Sequence, residues 1–179
     1  MSEARQRYLL GLGSNLGDRP SHLAEAIRLL AAMPHAEVTA ISPAFDSDPV
    51  GYASQPNFLN LCLEVVCKFD PHELLARTLA IESTLGRVRS ANRNGPRTLD
   101  IDLLFWEGGS LETPELTLPH PRWKERGFVT VPLRLLLQAP TLANVASWDW
   151  LRREVLLAPA GEDGLRAWHG STPWHPIPG

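Results

Sequence analysis

The chain has 179 residues, a length that predicts one domain able to bury most of its apolar surface. Its formal net charge is −3, which argues against a general nucleic-acid binder because such proteins usually carry an excess of Lys and Arg. No apolar window is long enough to span a membrane and no signal-peptide core is present, so we expect a cytoplasmic protein. The two cysteines, Cys62 and Cys67, are spaced for neither a redox pair nor a zinc site, and we expect both to be reduced.

The first part of the chain predicts a strand, a helix and a second strand. Residues 8–12 form an apolar run that ends at Gly-Ser-Asn, which is typical of a strand entering a loop. Asp18 and Pro20 are typical of a helix start, and apolar residues follow at helical spacing. Residues 38–45 predict another strand, bent or at a sheet edge because Pro43 interrupts it.

The middle of the chain predicts a long strand and a capped helix after a loop over residues 46–56. From Phe58 onward apolar residues alternate along one face of the strand, while Phe58 and Asn60 open the other face. A purely structural strand does not require an aromatic ring and an amide side by side. The sequence Asp-Pro-His-Glu at residues 70–73 predicts a capping box, and Gly86 is a suitable end for the helix.

The later segments complete a recognisable plan. They are a polar loop over residues 87–97, a strand over 98–106, a turn at 119–121, a strand over 128–131, and helices over 132–138 and 148–156. The order matches the ferredoxin-like βαββαβ core, an α+β fold with an antiparallel sheet covered by helices and, here, appended C-terminal helices. We expect this domain to occupy residues 1–158 and to be followed by an irregular tail over 159–179, with Trp168 and Trp174 as possible anchors.

Two carboxylates in the strand over residues 98–106 are the sharpest chemical feature. Asp100 and Asp102 share one face of the strand, because side chains two residues apart point the same way. Neighbouring carboxylates repel each other, and a divalent cation such as Mg²⁺ relieves that repulsion. Two ordinary acids on a solvent-facing strand are the alternative.

A basic loop lies directly before these acids. It contains Arg87, Arg89, Arg93 and Arg97, whose forked donors suit phosphate oxygens. The alternative is a solvated loop paired with acids such as Glu82. The chain has no Walker A sequence, and the glycines of residues 11–17 do not have the spacing of a dinucleotide fingerprint. A nucleotide would therefore be held by arginines and metal, whereas His120, between two prolines, is either a phosphate donor or part of a rigid turn.

Three side chains could bind a flat heterocycle. Phe58 and Phe128 offer rings for stacking, and the Asn60 amide can both donate and accept. Spacing alone favours the alternative of three ordinary strand residues.

Several motifs in a fixed order resemble those of the 6-hydroxymethyl-7,8-dihydropterin pyrophosphokinases. They are GLGSNLGD at residues 11–18, QPNFLN at 55–60, GRVR at 86–89, RNGPRTLDIDLL at 93–104, LPHP at 118–121 and ERGF at 125–128. The resemblance implies a magnesium-dependent enzyme of folate synthesis. Such an enzyme transfers diphosphate from ATP to the pterin hydroxymethyl group by attack at the β-phosphorus, and AMP leaves.

The resemblance also implies a role for each matching residue. Asp100 and Asp102 would bind two Mg²⁺ ions, and together with Arg87 and Arg97 they would form the catalytic set. The residues that would contact ATP are Arg87, Arg89, Arg93, Arg97, His120 and Arg126. The residues that would bind the pterin are Ser47, Val50, Phe58, Asn60 and Phe128. Asn94 and Pro121 depart from residues found in some relatives, which leaves lid stacking at those positions open.

Two other classes of protein are compatible with the fold. A non-catalytic regulatory module that binds a small molecule would explain Phe58 and Asn60 but would leave the paired acids and the arginines without a role. An RNA-binding domain would require a basic sheet face with exposed aromatic residues, whereas this sheet carries paired acids. We therefore expect ATP and the pterin as partners, no nucleic acid or membrane, and a monomer.

Overall fold

The computed structural model of the chain describes residues 4–49, 54–86, 98–158 and 164–174. Its strands are β1 (Gln6–Ser14), β2 (Glu37–Ile41), β3 (Phe45–Ser47), β4 (Phe58–Cys67), β5 (Asp100–Trp106), β6 (Leu111–Glu112), β7 (Thr117–Leu118) and β8 (Arg166–Ala167). Its α-helices are α1 (Arg19–Ala31), α2 (Pro71–Thr84), α3 (Gly127–Leu137) and α4 (Asp149–Leu157), and short 3-10 turns precede α3 and α4. Within these ranges no helix is both long and apolar enough to cross a bilayer.

The main sheet has the order β5-β1-β4-β3-β8, and β2 also pairs with β4. Every pairing in it is antiparallel. With β2 and β3 counted as one strand, the elements from β1 to β5 form the predicted βαββαβ arrangement, with β1 and β4 at its centre. The predicted strand over residues 38–45 is divided into β2 and β3, because Pro43 cannot donate to the ladder between them.

Local capping chemistry sets the ends of the two core helices. Asp18 accepts a hydrogen bond from the Ser21 amide at 3.2 Å and begins α1. Asp70 and Glu73 form the predicted capping box of α2, each side chain accepting from the other residue's amide at 2.9 and 2.8 Å. Gly86 follows α2 with φ +84°, a conformation that favours glycine at a helix end.

The two faces of the sheet cover different cores. One core lies between the sheet and helices α1 and α2, and includes Leu10, Leu61 and Ile101. The other lies under α3 and α4, and includes Leu9 and Cys62. Both cysteines are free thiols and buried, as predicted, and burial raises the pKa of the Cys62 thiol.

Residues 128–131 form the first part of α3, so the predicted short strand there is wrong. The run is rich in Val and Thr, which favour strands locally. Val129, Leu133 and Leu136 recur at helical spacing and are buried against the second sheet face. Burial of that helical face overrides the local preference.

The part of the tail that the structure describes lies against the domain. Ala167 and Arg166 pair with β3, Trp174 is buried in the first core, and Trp168 packs against that core. Both tryptophans therefore act as anchors for residues 164–174.

Candidate functional site

Cross-strand pairing brings the predicted acids and the predicted amide into two neighbouring rows on the second sheet face. Asp100 lies opposite Gly13 on β1, and Gly13 lies opposite Asn60 on β4. Asp102 lies opposite Gly11 in the next row on the same face. The paired acids and Asn60 are thus separated by a strand that presents only glycines between them.

Gly11 and Gly13, which we call the glycine strip, leave room on this face. A Cβ atom at Gly13 would lie 2.9 Å from Asn60 Oδ1 and 3.6 Å from Phe58 Cδ1. A Cβ atom at Gly11 would lie 3.3 Å from the Leu104 side chain. Sequence reasoning considered these glycines as a nucleotide fingerprint and as part of a family motif, but gave them no structural role. Their spacing of two within a strand was the signal that one face of β1 carries no side chain there.

The two acids occupy the face predicted for them. Asp100 and Asp102 are half-buried, whereas Ile101 between them is buried in the first core. Arg126 Nη1 lies 3.8 Å from Asp102 Oδ2, so a cation stands beside this carboxylate. Buried Glu82 of α2 accepts a hydrogen bond from the Ile101 amide at 2.8 Å. Sequence reasoning considered Glu82 as a possible partner of the arginine loop; its hydrogen bond to the Ile101 amide holds the strand between the two acids.

The donor set of this pair suits magnesium. No group of three or more His, Cys, Asp or Glu that could hold a metal occurs among the described residues. Mg²⁺ is usually bound by one or two protein carboxylates, with substrate phosphates and water as the other ligands. Two half-buried carboxylates on one strand face fit that pattern, whereas a zinc site would need more protein ligands.

His120 is held in the predicted turn near the acids. Its amide donates to the Leu104 carbonyl at 2.8 Å, and its Nδ1 accepts from the Arg122 amide at 3.2 Å. Because Nδ1 is an acceptor, the neutral ring carries its proton on Nε2. Burial, and then the cations of Arg126 and Arg122, lower the pKa of His120 to about 4, although the Asp100 carboxylate acts in the opposite direction.

Two of the predicted heterocycle-binding residues, Phe58 and Asn60, border the other side of the glycine strip. Asn60 Nδ2 donates to Ser47 Oγ at 2.7 Å, and both side chains are buried. Phe58 pairs with Ser47 across the β3–β4 ladder. Phe128 lies in the first turn of α3, with the Arg126 guanidinium carbon 5.6 Å from its ring centroid.

A buried amide pair anchors the chain that leads into β4. Asn15 Nδ2 donates to Gln55 Oε1 at 2.9 Å and to the Pro56 carbonyl at 3.0 Å. Sequence reasoning quoted both residues as motif positions without giving them a role. Their contact fixes the approach to Phe58 from the end of β1.

The remaining predicted residues cannot be placed. Arg87, Arg89, Arg93, Arg97 and Val50 lie outside the described residues.

Comparison with known proteins shows which family this chain resembles. A family profile described as 7,8-dihydro-6-hydroxymethylpterin-pyrophosphokinase matches residues 9–138. A Bacillus subtilis protein named 2-amino-4-hydroxy-6-hydroxymethyldihydropteridine pyrophosphokinase is 39% identical over 159 residues, which are 89% of this chain and 88% of that protein. A Methylorubrum extorquens protein of the same name is 46% identical over 127 residues, 71% of this chain and 80% of that protein.

Solved structures resemble the fold at much lower identity. Crystal structures of Plasmodium falciparum HPPK-DHPS align with TM-scores of 0.62 for the wild type with pteroate and 0.59 for A437G with STZ-DHP, each at 12% identity. The alignments cover 93% and 76% of this chain but only 46% and 42% of those longer chains. This likeness supports the fold.

Proposed function

This chain belongs to the 7,8-dihydro-6-hydroxymethylpterin-pyrophosphokinase family, and from that premise we propose how its own residues divide the reaction. The enzyme transfers a diphosphate from ATP to 6-hydroxymethyl-7,8-dihydropterin in folate biosynthesis. One observation carries the assignment of its site. The acids of β5 and the amide of β4 face the same side of the sheet on opposite sides of the glycine strip.

The β5 side of the site binds the triphosphate. Asp100 and Asp102 hold two Mg²⁺ ions, and support for this is the donor set of two half-buried carboxylates on one face. Magnesium bound there supplies positive charge that offsets the charge of the phosphate oxygens. Phosphoryl transfer depends mainly on positioning and charge neutralisation. The acids would therefore contribute by determining the position of the magnesium charge.

Cations and a neutral donor complete the ATP subsite. Arg126, beside Asp102, and His120, with its proton on Nε2, contact the nucleotide. The family resemblance assigns the loop arginines to ATP binding; they are Arg87, Arg89, Arg93 and Arg97. It places Arg87 and Arg97 in the catalytic set as well. They stabilise negative charge on the leaving AMP.

The β4 side of the site binds the pterin. Phe58 and Phe128 stack on the heterocycle, and Asn60 binds its polar edge, with Ser47 and the backbone near Val50 as neighbours. Support comes from the Asn60–Ser47 hydrogen bond, which fixes the amide beside the open strip.

We assign the catalytic domain to residues 1–158 and infer a cytoplasmic monomer. Elution of the purified protein at the size of 19.8 kDa on gel filtration tests the monomer.

Product analysis tests the reaction. Purified protein is incubated with Mg-ATP and 6-hydroxymethyl-7,8-dihydropterin, and the nucleotides are resolved by chromatography. AMP should appear in step with the pterin diphosphate, because attack occurs at the β-phosphorus. ADP would instead show transfer of the γ-phosphoryl group. Binding of both ligands without any turnover would favour the non-catalytic module.

Asp102→Asn tests magnesium binding within that assay. Loss of the charge should lower kcat by at least about 100-fold, the scale of losing one electrostatic contact in a transition state, and should raise the Mg²⁺ concentration needed for half-maximal rate. Glu25→Gln is the control, because Glu25 is an exposed α1 residue paired with Arg28. Near-normal turnover of Asp102→Asn with an unchanged Mg²⁺ response would contradict the assignment.

A further inference from the structure

Residues 164–174, which we call the C-terminal segment, lie along the edge of β3 that faces away from β4. Ala167 pairs with Phe45 and Arg166 pairs with Asp46. The Trp168 amide then donates to the Ala44 carbonyl at 3.0 Å. Strand β3 is therefore held on both sides, by the domain on one and by the C-terminal segment on the other.

One arginine of this segment contacts the residues on both sides of Ser47. Arg166 Nη2 lies 3.1 Å from Asp48 Oδ1 and 3.4 Å from Asp46 Oδ1. The other oxygen of Asp46 is 3.2 Å from Arg19 Nη1 on α1. Ser47 thus lies between two carboxylates that the same guanidinium binds.

Glycine at position 164 permits this contact. Gly164 has φ +58°, and a Cβ atom there would lie 2.0 Å from Asp48 Oδ2. A side chain at this position would push the segment away from Asp48. The close approach of the segment to Asp48 therefore depends on Gly164, a residue that has no role in the function proposed above.

The position of Ser47 affects the pterin side of the site through Asn60. Asn60 Nδ2 donates to Ser47 Oγ at 2.7 Å, and this bond is buried. With one amide proton directed to Ser47, the orientation of the remaining Asn60 polar groups is set. A shift of Ser47 would therefore rotate the amide or leave it without this partner.

We propose that the C-terminal segment is part of the pterin subsite, and that Arg166 is a positioning residue that holds Ser47 and, through it, the Asn60 amide. The proposal rests on the proposed function, because it takes Asn60 as a pterin ligand. Arg166 does not itself touch the pterin. Its effect is on the affinity for the heterocycle and not on binding of ATP, whose subsite lies across the glycine strip.

The ion pair is well suited to a test because it contributes little to stability. The Arg166 and Asp48 side chains are 51% and 57% exposed, and such surface pairs are worth little to folding. Trp174 is buried in the first core, and the Trp168 ring centroid lies 5.2 Å from the Arg19 guanidinium carbon. Neither contact involves Arg166, so we expect the segment to keep these anchors when Arg166 is truncated. An effect on pterin binding would then reflect positioning.

The experiment measures KM for pterin and for ATP, kcat and urea unfolding for Arg166→Ala and Arg166→Lys. We expect Arg166→Ala to raise the pterin KM roughly three- to tenfold, the scale of one weakened hydrogen bond, with the ATP KM and the unfolding midpoint unchanged. Arg166→Lys should show a smaller rise, because it keeps the charge but loses the fork. Arg5→Ala is the matched control, since the Arg5–Glu37 pair has the same 3.1 Å separation and exposures of 44% and 59%.

An unchanged pterin KM in Arg166→Ala would overturn the proposal. If Arg166→Ala does not fold, Asp48→Asn serves as the test variant, because it removes the charge of Asp48 from the Arg166–Asp48 ion pair. Asn60→Ala separates this proposal from the one it rests on. If Asn60→Ala leaves the pterin KM unchanged, the assigned pterin site is wrong; if it raises the KM and Arg166→Ala does not, only the role of the segment is wrong.

Discussion

At the scale of single residues, His120 has a hydrogen bond that determines its tautomer and surroundings that keep its ring neutral. The Arg122 amide binds Nδ1, and burial with two nearby arginines lowers the pKa of His120 to about 4. The ring is therefore neutral near pH 7 and carries its proton on Nε2, a state that suits the proposed contact with an anionic nucleotide without adding a charge. Sequence reasoning left a turn and a phosphate contact as alternatives, and this geometry is compatible with both.

The lowered pKa predicts how stability depends on pH. In the unfolded chain the ring titrates near 6.5, whereas in the folded protein it titrates near 4. As pH falls through this window the unfolded state binds the proton first, so stability decreases. The free energy of urea unfolding should fall more between pH 6.5 and pH 4 for the wild type than for His120→Asn. His169→Asn, which changes an exposed histidine, should follow the wild type, and parallel curves for all three proteins would contradict the prediction.

At the scale of elements, β1 is the strand that shapes the site, although it supplies no functional side chain. It lies between β5 and β4, and the glycine strip leaves the face between Asp100 and Asn60 open. A larger residue on this face would occupy the space between the two proposed substrate sides. In the proposed site, the strand would thus determine where the phosphates and the pterin can meet.

Gly13→Ala tests the role of β1. The added methyl group would lie 2.9 Å from Asn60 Oδ1, so the amide must move. We expect the pterin KM to rise about tenfold, which corresponds to about 1.4 kcal/mol, with a smaller change in the ATP KM. Gly11→Ala is the comparison within the same strand, because its methyl group would meet the Leu104 side chain at 3.3 Å and not the Asn60 amide. Equal pterin KM values for the two variants would contradict this account.

At the scale of the whole molecule, a buried glutamate joins the sheet to the appended helices. Glu64 of β4 is fully buried and accepts from Trp148 Nε1 at 2.6 Å, from Thr39 Oγ1 at 2.6 Å and from Arg7 Nη1 at 2.8 Å. Trp148 belongs to the turn that precedes α4. This network connects β1, β2 and β4 with the helical layer on the second face.

Removal of this carboxylate should therefore be costly. Glu64→Ala leaves the buried Trp148 indole without its acceptor, and we expect a loss of about 3 kcal/mol or more in the free energy of unfolding. Glu37→Ala is the control, because it breaks an exposed pair with Arg5 and should cost less than about 1 kcal/mol. Urea unfolding of both variants measures the difference. Similar losses in the two would show that Glu64 is not a link between the layers.

Local chemistry made much of the fold predictable. Apolar alternation in β4, the capping box at Asp70 and Glu73, and the shared face of Asp100 and Asp102 each depend on residues within a few positions of one another. The strand–helix order then allowed the βαββαβ core to be predicted, because connections between such elements are short. These features appear in the structure where the sequence placed them.

Other features depend on which distant segments meet. Phe128 lies in a helix because that helix buries one face on the sheet, which local preference could not show. The row from Asp100 through Gly13 to Asn60 exists only because two ladders have a particular register. The contacts of Arg166 with Asp46 and Asp48 likewise require the end of the chain to pair with β3. Candidate site residues could thus be proposed from sequence, but the relative positions of those that the structure describes follow from burial and register, which are properties of the folded chain alone.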